Sequence, residues 1–446
     1  MSDGLWYADW AWLGSDETPT DRVLIEVVDS RFSAITVGVA TPPADAIRLP
    51  GLTLPGLANA HSHAFHRALR GRTTDDRGSF WSWRDRMYAL AGRLDPDNYL
   101  ALARATYAEM ALAGITTVGE FHYLHHDVDG EPYPDPNVMG TVLIEAAAQA
   151  GIRITLLDAL YLTATVDGEP LEGVQRRFGD QDLDAYLARL ERLDAMAATD
   201  YADTVRIGAA LHSVRAVPAT LLPELAERTA GRPLHFHLSE QRAENEACVA
   251  THGRTPTELL SDSGVLGPRS TAVHATHLTD LDRTLLGDTG TGVCFCPTTE
   301  RDLADGIGTA RALADAGSPL SLGSDSQTVI DLFEEARALE ANERLRTERR
   351  GHFSPAELVR AAAVAGHNAL GWTDVGRIAA GERADLVTIN LQSPRTAGAP
   401  PVGAPLAASA ADVTTVVVDG RVTVRDGHHV RIDVPAALEE AVHSLW

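Results

Sequence analysis

From residue 54 onward, short apolar runs alternate with longer, amphipathic, alanine-rich stretches. After the run that begins at residue 54, further runs fall at 115–121, 152–161, 205–212, 233–238, 270–278, 291–297 and 319–325. Strands that alternate with helices pair in parallel, and about eight such units close into a barrel. The pattern therefore predicts an α/β fold, a (β/α)8 TIM barrel over residues 54–373, a length that suits a barrel of roughly 250 residues or more.

Both ends of the chain have the pattern of short strands without intervening helices. Before residue 54 the segments LIEVVD and SAITVG are separated by polar turns. After Trp372 the chain returns to strand-like segments such as ADLVTINL and DVTTVVVDGRVTV. We therefore expect a small β-sandwich domain composed of residues 1–53 and 374–446, beside the barrel domain of residues 54–373.

The charge balance and the cysteines restrict partners and location. The 446 residues include 62 acidic and 38 basic side chains, a net charge of −24, whereas nucleic acid requires a basic footprint. No apolar stretch approaches the roughly 18 residues that span a bilayer, and the first ten residues lack the features of a signal peptide. Three cysteines cannot form a disulfide framework, which is typical of a reducing compartment. We expect a cytoplasmic protein with no nucleic-acid or membrane partner.

The apolar run LTLPGLANAHSH ends in two histidines. His61 and His63 are two residues apart and would share one face of a strand. Residues at the C-terminal end of a barrel strand point into the mouth of the barrel. Two imidazoles placed there are suitable zinc ligands, although an isolated His-x-His pair fits surface histidines equally well.

Three further strand ends carry a histidine or an aspartate. His237 closes the run PLHFHL, His274 closes STAVH, and Asp325 closes PLSLGSD. His235 shares a face with His237, and His277 follows His274 closely, but His237 and His274 fit the strand ends better. Because a barrel brings its strand ends together, these residue types predict one shared metal site.

The remaining histidines and the cysteines are assigned structural roles. Cys294 and Cys296 are interpreted as residues that pack inside the barrel, because Cys-x-Cys is not the usual zinc-ligand spacing. Histidines away from the strand ends are interpreted as surface residues, namely His252, His352, His367, His428 and His429.

This arrangement resembles the amidohydrolase superfamily, and the resemblance covers nearly the whole chain. The superfamily has a His-x-His after strand 1, one histidine after each of strands 5 and 6, and an aspartate after strand 8. The absence of a lysine near the fourth strand end resembles the mononuclear branch. The resemblance implies one bound zinc ion, with iron as an alternative, and the ligands His61, His63, His237 and Asp325. It also implies that His274 orients the reacting water and that Asp325 takes its proton.

Finer motifs resemble one group within this superfamily, the formimidoylglutamate deiminases. The motifs are LPGLANAHSHAFHRALRG, SFWSWRDRMY, GEFHYLHH, LHSVRAV, HFHLSEQ and CPTTERDLADG. The resemblance implies hydrolysis of N-formimidoyl-L-glutamate to N-formyl-L-glutamate and ammonia in histidine breakdown, by a homodimer. It implies that Glu240 shuttles a proton to the departing nitrogen, and that the substrate is held by His66, Arg84, Tyr123, His212 and Arg215. The group commonly has a glutamine where this chain has His66.

Two other functions remain compatible with parts of the pattern. A related deaminase that acts on a purine, pyrimidine or triazine ring would require stacking and amide groups more than paired arginines. A non-catalytic relative would typically have lost metal ligands, whereas the full set is present here. A small anionic substrate is favoured, because arginines such as Arg84 and Arg215 bind carboxylates bidentately.

Overall fold

Four strands near the N-terminus build one half of a sheet that flanks the barrel. They are β1 (Gly4–Ala11), β2 (Thr20–Val28), β3 (Arg31–Thr36) and β4 (Ile47–Pro55). The computed structural model of the chain describes residues 4–14, 17–73 and 80–446. The hairpin between β2 and β3 turns at Asp29 and Ser30, whose φ angles of +51° and +67° are those that a tight two-residue hairpin requires.

The predicted barrel units form an eight-stranded parallel sheet. Its strands are β5 (Leu57–Ser62), β6 (Ile115–His122), β7 (Arg153–Leu160), β8 (Val205–Leu211), β9 (Leu234–Leu238), β10 (Ser270–His274), β11 (Gly292–Phe295) and β12 (Leu320–Leu322). Neighbours pair in sequence order, and a parallel bridge between Ser62 and Asp325 joins the first strand to the segment that follows the last. Every residue of β6 and β7 is buried, as in sheets covered on both faces. The predicted barrel fold is confirmed.

The C-terminal strands complete the flanking sheet. They are β13 (Leu386–Ile389), β14 (Val413–Val418), β15 (Arg421–Arg425) and β16 (His428–His429), and the sheet order is β16-β15-β14-β13-β4-β1-β2-β3. Strands from both chain ends therefore belong to one hydrogen-bonded sheet, as expected for a shared β domain. β4 continues through residue 54, where the sequence analysis divides the two domains, and that division stays a prediction.

A glycine lies at the joint between the two sheets. Gly56 separates β4 from β5, and a Cβ atom at this position would lie 2.8 Å from the Cβ of Asp385. A side chain there would push the flanking sheet away from the barrel, so the close approach of the two sheets depends on this glycine.

The helices lie mainly between the barrel strands in sequence. They are α1 (Phe80–Ala91), α2 (Pro96–Leu112), α3 (Val138–Ala150), α4 (Leu183–Asp200), α5 (Leu222–Arg228), α6 (Arg242–His252), α7 (Pro256–Asp262), α8 (Asp280–Asp288), α9 (Pro297–Asp302), α10 (Ala310–Ala316), α11 (Leu332–Thr347), α12 (Pro355–Arg360), α13 (Gly366–Ala369), α14 (Ala404–Ala407) and α15 (Val434–His443). The last of them, α15, packs against α2 of the barrel. Within the described ranges, no helix is both long enough and apolar enough to cross a membrane.

Two histidines that the sequence analysis assigns to the surface are buried. His367 is 0% exposed, and its Nδ1–H donates to the Ala363 carbonyl at 2.9 Å. His429 is also buried, and its Nε2–H donates to the Ala150 carbonyl. The surface interpretation is wrong for these two, because a single histidine outside a periodic apolar pattern carries no signal of burial. Of the others, His428 is exposed, and His252 and His352 are partly buried.

Candidate metal centre and active site

Three histidines and one aspartate from three strand ends meet at the C-terminal mouth of the barrel. One ring nitrogen from each of His61, His63 and His237 lies within 4.8 Å of the others. Oδ1 of Asp325 lies 3.4 Å from Nε2 of His61 and 3.4 Å from Nε2 of His63. All four side chains are buried. The structure thus brings together the four residues that the sequence analysis proposes as metal ligands.

The outward nitrogens of two histidines are fixed by backbone carbonyls. Nδ1 of His63 lies 2.9 Å from the Phe121 carbonyl oxygen, and Nδ1 of His237 lies 2.9 Å from that of His212. A carbonyl can only accept a hydrogen bond, so each Nδ1 carries the proton and each Nε2 offers a lone pair to the centre of the site. This is the arrangement that orients histidine ligands in metal sites.

His61 supplies a further test of whether this site suits a metal. Both of its ring nitrogens are buried and lack a hydrogen bond of ordinary geometry to any described residue. A buried polar atom without a partner is costly, and an ion bound at Nε2 would remove that cost. Three imidazoles and a carboxylate form a donor set that zinc accepts readily, so the residues fit the expected metal.

The protonation states of the four residues also suit metal binding. Burial lowers the pKa of His61, His63 and His237, which favours the neutral rings that can coordinate an ion. Burial alone would raise the pKa of Asp325, but the close contact with His61 and the positive charge of His274 outweigh it and hold that pKa below its usual range. Asp325 is therefore an anion at neutral pH.

His274 lies at the centre of three carboxylates. Its Nε2 is 3.9 Å from Oε1 of Glu240 and 3.7 Å from Oδ2 of Asp325, and its Nδ1 is 3.5 Å from Oε1 of Glu300. Burial lowers the pKa of His274, but these carboxylates outweigh burial and raise it well above the ordinary value. Burial raises the pKa of Glu240 to about 7, although His274 partly opposes the rise. A cationic imidazole and a carboxyl that exchanges protons near neutral pH thus face the metal ligands.

His274 and Asp325 have left-handed backbone conformations. The φ angle of His274 is +69° and that of Asp325 is +42°. Residues with side chains adopt this region rarely, and strain of this kind concentrates at functional sites. The strained backbone turns both side chains toward the common centre.

The neighbours that the sequence analysis set aside have other contacts. His235 is buried, and its Nε2–H donates to the Ala369 carbonyl. The described lining of the cavity above the metal ligands does not include His277. Cys294 and Cys296 pack inside the barrel against Ala60 and Val273, but Sγ of Cys296 also lies within 4.8 Å of ligand atoms of His274 and Asp325. Cys296 therefore packs inside the barrel, as interpreted from the sequence, and also lies beside His274 and Asp325, which the sequence did not indicate.

The cavity above the metal ligands contains every residue proposed to hold a substrate. Its lining includes the five predicted substrate residues together with the proton shuttle, His66, Arg84, Tyr123, His212, Arg215 and Glu240. Nε2 of His66 lies 3.1 Å from the Tyr123 hydroxyl oxygen, and the guanidinium of Arg84 lies over the ring of Tyr88. The structure brings all of these residues to one side of the metal ligands.

The cavity lining also contains residues that the sequence analysis missed. Trp83, Tyr88, Tyr161 and Phe178 add aromatic surface, and Glu244 adds a carboxylate. Burial alone lowers the pKa of Arg215, but Tyr161 and Glu244 outweigh burial and the pKa is raised. Trp83 and Tyr88 lie within the motif SFWSWRDRMY, and Glu244 follows Glu240 by four residues. Their closeness to the quoted motifs is the one feature of the sequence that could have indicated a place in the cavity lining.

Comparison with characterised proteins places the chain among hydrolases. The family described as "Amidohydrolase family" matches residues 52–423. A formimidoylglutamate deiminase of Pseudomonas aeruginosa is 38% identical over 402 residues, which cover 86% of this chain and 87% of that protein. A 5-methylthioadenosine/S-adenosylhomocysteine deaminase of Halobacterium salinarum is 30% identical over 453 residues, which cover 99% of this chain and 97% of that protein.

Solved structures agree with this assignment. An amidohydrolase from Brucella melitensis superposes with a TM-score of 0.91 at 31% identity and covers 99% of both chains. An adenosine deaminase from Xanthomonas campestris with bound zinc has the same fold, with a TM-score of 0.85 at 24% identity, over 99% of this chain and 97% of that one. The chain therefore belongs to the amidohydrolase family and is a hydrolase that acts on carbon–nitrogen bonds.

Proposed function

We propose that this enzyme hydrolyses N-formimidoyl-L-glutamate to N-formyl-L-glutamate and ammonia, with one zinc ion bound by His61, His63, His237 and Asp325. The observation that carries the proposal is that two arginines, Arg84 and Arg215, line the cavity above these ligands in a chain of net charge −24. The 38% identity with the deiminase of Pseudomonas aeruginosa supports the same substrate.

Substrate binding follows from the charges of the cavity. The glutamyl part of the substrate has two carboxylates, and a guanidinium binds a carboxylate through two parallel hydrogen bonds. Arg84 and Arg215 are the proposed partners of these carboxylates, and Tyr123 and His212 offer further polar contacts. Each charge-assisted hydrogen bond contributes about 1.5–3 kcal/mol, so these contacts favour an anionic substrate.

The chain's own residues supply the proton transfers. When bound, zinc acidifies a water molecule, whose pKa falls from 15.7 to about 7. Asp325 is an anion that accepts a proton from the attacking water, and His274 beside it is a cation that stabilises negative charge developing on the substrate. Glu240 delivers protons to the departing nitrogen, because NH2⁻ is not a viable leaving group. The two protons that this nitrogen gains on leaving as ammonia are balanced by the two that the attacking water loses, the first of them to Asp325.

A second candidate is a deaminase that acts on a nucleobase. The aromatic side chains of Trp83, Tyr88, Tyr161 and Phe178 in the cavity lining favour it, since they could stack on a ring. The 30% identity with the methylthioadenosine/S-adenosylhomocysteine deaminase of Halobacterium salinarum supports it as well. Arginine pairs are less useful for a neutral ring, which is why the linear substrate is preferred.

Ammonia release distinguishes the two candidates. The zinc-loaded protein is incubated separately with N-formimidoyl-L-glutamate, S-adenosylhomocysteine and 8-oxoguanine, and ammonia is measured. We expect rapid release from the first compound alone, and no release by the Asp325→Asn variant or after zinc removal by a chelator. Release confined to a nucleobase compound would overturn the proposed substrate and leave the metal site intact.

Three further properties belong to the same proposal. We propose that the enzyme acts in the cytoplasm, contributes to histidine breakdown, and forms a homodimer. Sedimentation analysis of the purified protein tests the oligomeric state, and a mass equal to one chain would contradict the dimer. Loading the metal-free protein with zinc or iron in parallel, followed by the ammonia assay, tests which metal supports the faster reaction.

A further inference from the structure

Five buried polar side chains connect two of the three strand ends that carry the proposed metal ligands. We define the seam network as Asn59, Ser62, Glu120, Ser324 and Gln327, each of which is 0% exposed. Asn59 and Ser62 belong to β5, Glu120 belongs to the neighbouring β6, and Ser324 and Gln327 lie in the segment after β12 that carries Asp325. A buried polar cluster of this size inside a barrel requires an explanation, because burial of polar groups is costly unless every group is paired.

Backbone pairing is sparse at this closure of the barrel. β12 has only three residues, Leu320–Leu322, and in the described chain β5 meets the segment after β12 through the bridge between Ser62 and Asp325. That bridge consists of two backbone hydrogen bonds, His63 N to the Asp325 carbonyl and Asp325 N to the His61 carbonyl. By contrast, β7 and β8 are paired over seven residues. We call the place where β5 meets the segment after β12 the seam. Side-chain hydrogen bonds must supply much of the connection there.

One hydroxyl joins both sides of the seam. Oγ of Ser62, the residue between the two histidine ligands, donates to Oε2 of Glu120 at 2.7 Å and accepts from Nε2 of Gln327 at 2.9 Å. The same Nε2 of Gln327 also donates to the carbonyl oxygen of Asp325 at 2.9 Å. The loop that carries the histidine pair is thus linked through two side chains to the backbone of the aspartate ligand.

The rest of the network fixes the orientation of these two side chains. Oε1 of Glu120 accepts the backbone N–H of Ala64 at 2.6 Å. Oε1 of Gln327 accepts from Oγ of Ser324 at 2.7 Å, and that Oγ in turn accepts from Nδ2 of Asn59 at 2.7 Å. Donors and acceptors alternate without conflict along the chain of bonds, so all of these hydrogen bonds can form at the same time.

We propose that Ser62, Glu120 and Gln327 are positioning residues that set the distance between the His61–His63 pair and Asp325, and thereby how tightly the metal is held. The inference rests on the metal site of the proposed function and is independent of its substrate. None of the three belongs to the described lining of the substrate cavity, so they act through the ligands. Groups that orient metal ligands in this way typically contribute 10–100-fold to metal affinity or activity.

The test compares two deletions of a buried hydroxyl. Ser62→Ala removes the hydroxyl that joins the seam. Thr155→Val is the matched control, because Oγ1 of Thr155 is also buried, donates to the Leu370 carbonyl at 2.8 Å and accepts from Nε1 of Trp372 at 3.0 Å. Both variants therefore lose one donated and one accepted hydrogen bond within the barrel, but only one of them lies between metal ligands.

Three readouts separate positioning from general stability. Zinc-loaded proteins are mixed with a coloured chelator to measure the rate of zinc release, the metal-free proteins are melted, and kcat and KM are determined. We expect Ser62→Ala to release zinc about 10-fold faster or more, with a lower kcat and a KM within about twofold of the parent. Thr155→Val should lower the melting temperature by a similar amount and leave zinc release within twofold.

A second variant provides the test if Ser62→Ala does not fold. Gln327→Met keeps the length of the side chain and removes the amide that bridges Ser62 and Asp325, and we expect the same acceleration of zinc release. Equal release rates for Thr155→Val and either folded seam variant would overturn the inference. Because zinc release requires no substrate, this result is independent of whether N-formimidoyl-L-glutamate is turned over.

Discussion

Nε2 of His66 lies 3.1 Å from the hydroxyl oxygen of Tyr123, and both side chains line the cavity above the metal ligands. Burial lowers the pKa of His66 to about 3 and raises the pKa of Tyr123 well above its ordinary value. Both groups are therefore neutral across the physiological range and share one hydrogen bond that does not change with pH. This hydrogen bond holds the His66 ring and the Tyr123 hydroxyl in one orientation in the cavity lining.

We expect Tyr123→Phe to weaken substrate binding. The variant keeps the ring and removes the hydroxyl that contacts His66, and a net hydrogen bond contributes about 0.5–1.5 kcal/mol. KM for N-formimidoyl-L-glutamate should rise about 2–10-fold, with kcat within threefold of the parent enzyme. Tyr201→Phe is the control in steady-state assays, because that hydroxyl donates to Glu145 outside the cavity. A large loss of kcat at unchanged KM would contradict a binding role for Tyr123.

Arg215→Ala should discriminate between charged and neutral substrates. We expect KM for N-formimidoyl-L-glutamate to rise about 10–100-fold, because a charge-assisted hydrogen bond to a carboxylate is lost. Turnover of a neutral formamidine, which has no carboxylate, should change little. Arg242→Ala, a change at an exposed residue at the start of α6, is the control. Equal losses on both substrates would remove Arg215 from carboxylate binding.

Glu240→Gln should slow the chemical step and leave binding nearly intact. The variant keeps the shape of the side chain but can no longer carry a proton to the departing nitrogen, and a positioned acid or base typically contributes 10²–10⁴-fold. We expect kcat to fall by roughly that factor while KM changes less than threefold. Glu246→Gln, at an exposed position in α6, the helix that begins two residues after Glu240, should be indistinguishable from the parent. A kcat within tenfold of the parent would show that another group delivers the proton.

Much of the fold and of the metal site could be predicted because the signals are local. The alternation of apolar runs with helical stretches predicts a parallel barrel, and the C-terminal ends of parallel strands meet at one face. His61, His63, His237 and Asp325 each follow such a run, so a barrel necessarily brings them close. The same pattern does not separate these four proposed ligands from His274, which also ends an apolar run, and that separation is implied only by the resemblance to the amidohydrolase superfamily.

The residues that were missed have roles that depend on what lies opposite them. In the sequence, Glu120 is one more residue of a buried strand. The hydrogen bond that it accepts from Ser62 of the neighbouring strand, on which its proposed positioning role depends, is seen only in the structure. Glu300 lies in a short helix, and its contact with Nδ1 of His274 joins positions 26 residues apart. Gln327 follows Asp325 by two residues, but its bridging contact requires the turn that a positive φ at both residues creates.

The buried histidines predict a specific dependence of stability on pH. Burial lowers the pKa of His367 from 6.5 to about 3, so the folded state keeps this ring neutral in mild acid, whereas the unfolded state binds a proton below pH 6.5. The unfolded state therefore gains stability as the pH falls from 6.5 toward 3, by about 1.4 kcal/mol per pH unit, or about 2 kcal/mol at pH 5. Denaturant unfolding at pH 7 and pH 5 measures this loss.

The His367→Gln variant isolates the contribution of this one ring. We expect the variant to be less stable than the parent at pH 7, because it loses packing and the hydrogen bond from Nδ1 to the Ala363 carbonyl. Between pH 7 and pH 5 it should lose about 2 kcal/mol less than the parent, since it has no imidazole to protonate on unfolding. His428→Gln is the matched control, because His428 is exposed and its removal should leave the pH dependence unchanged. If the His367→Gln variant and the parent lose the same stability over this interval, the ring of His367 titrates in the folded protein much as it does in the unfolded chain.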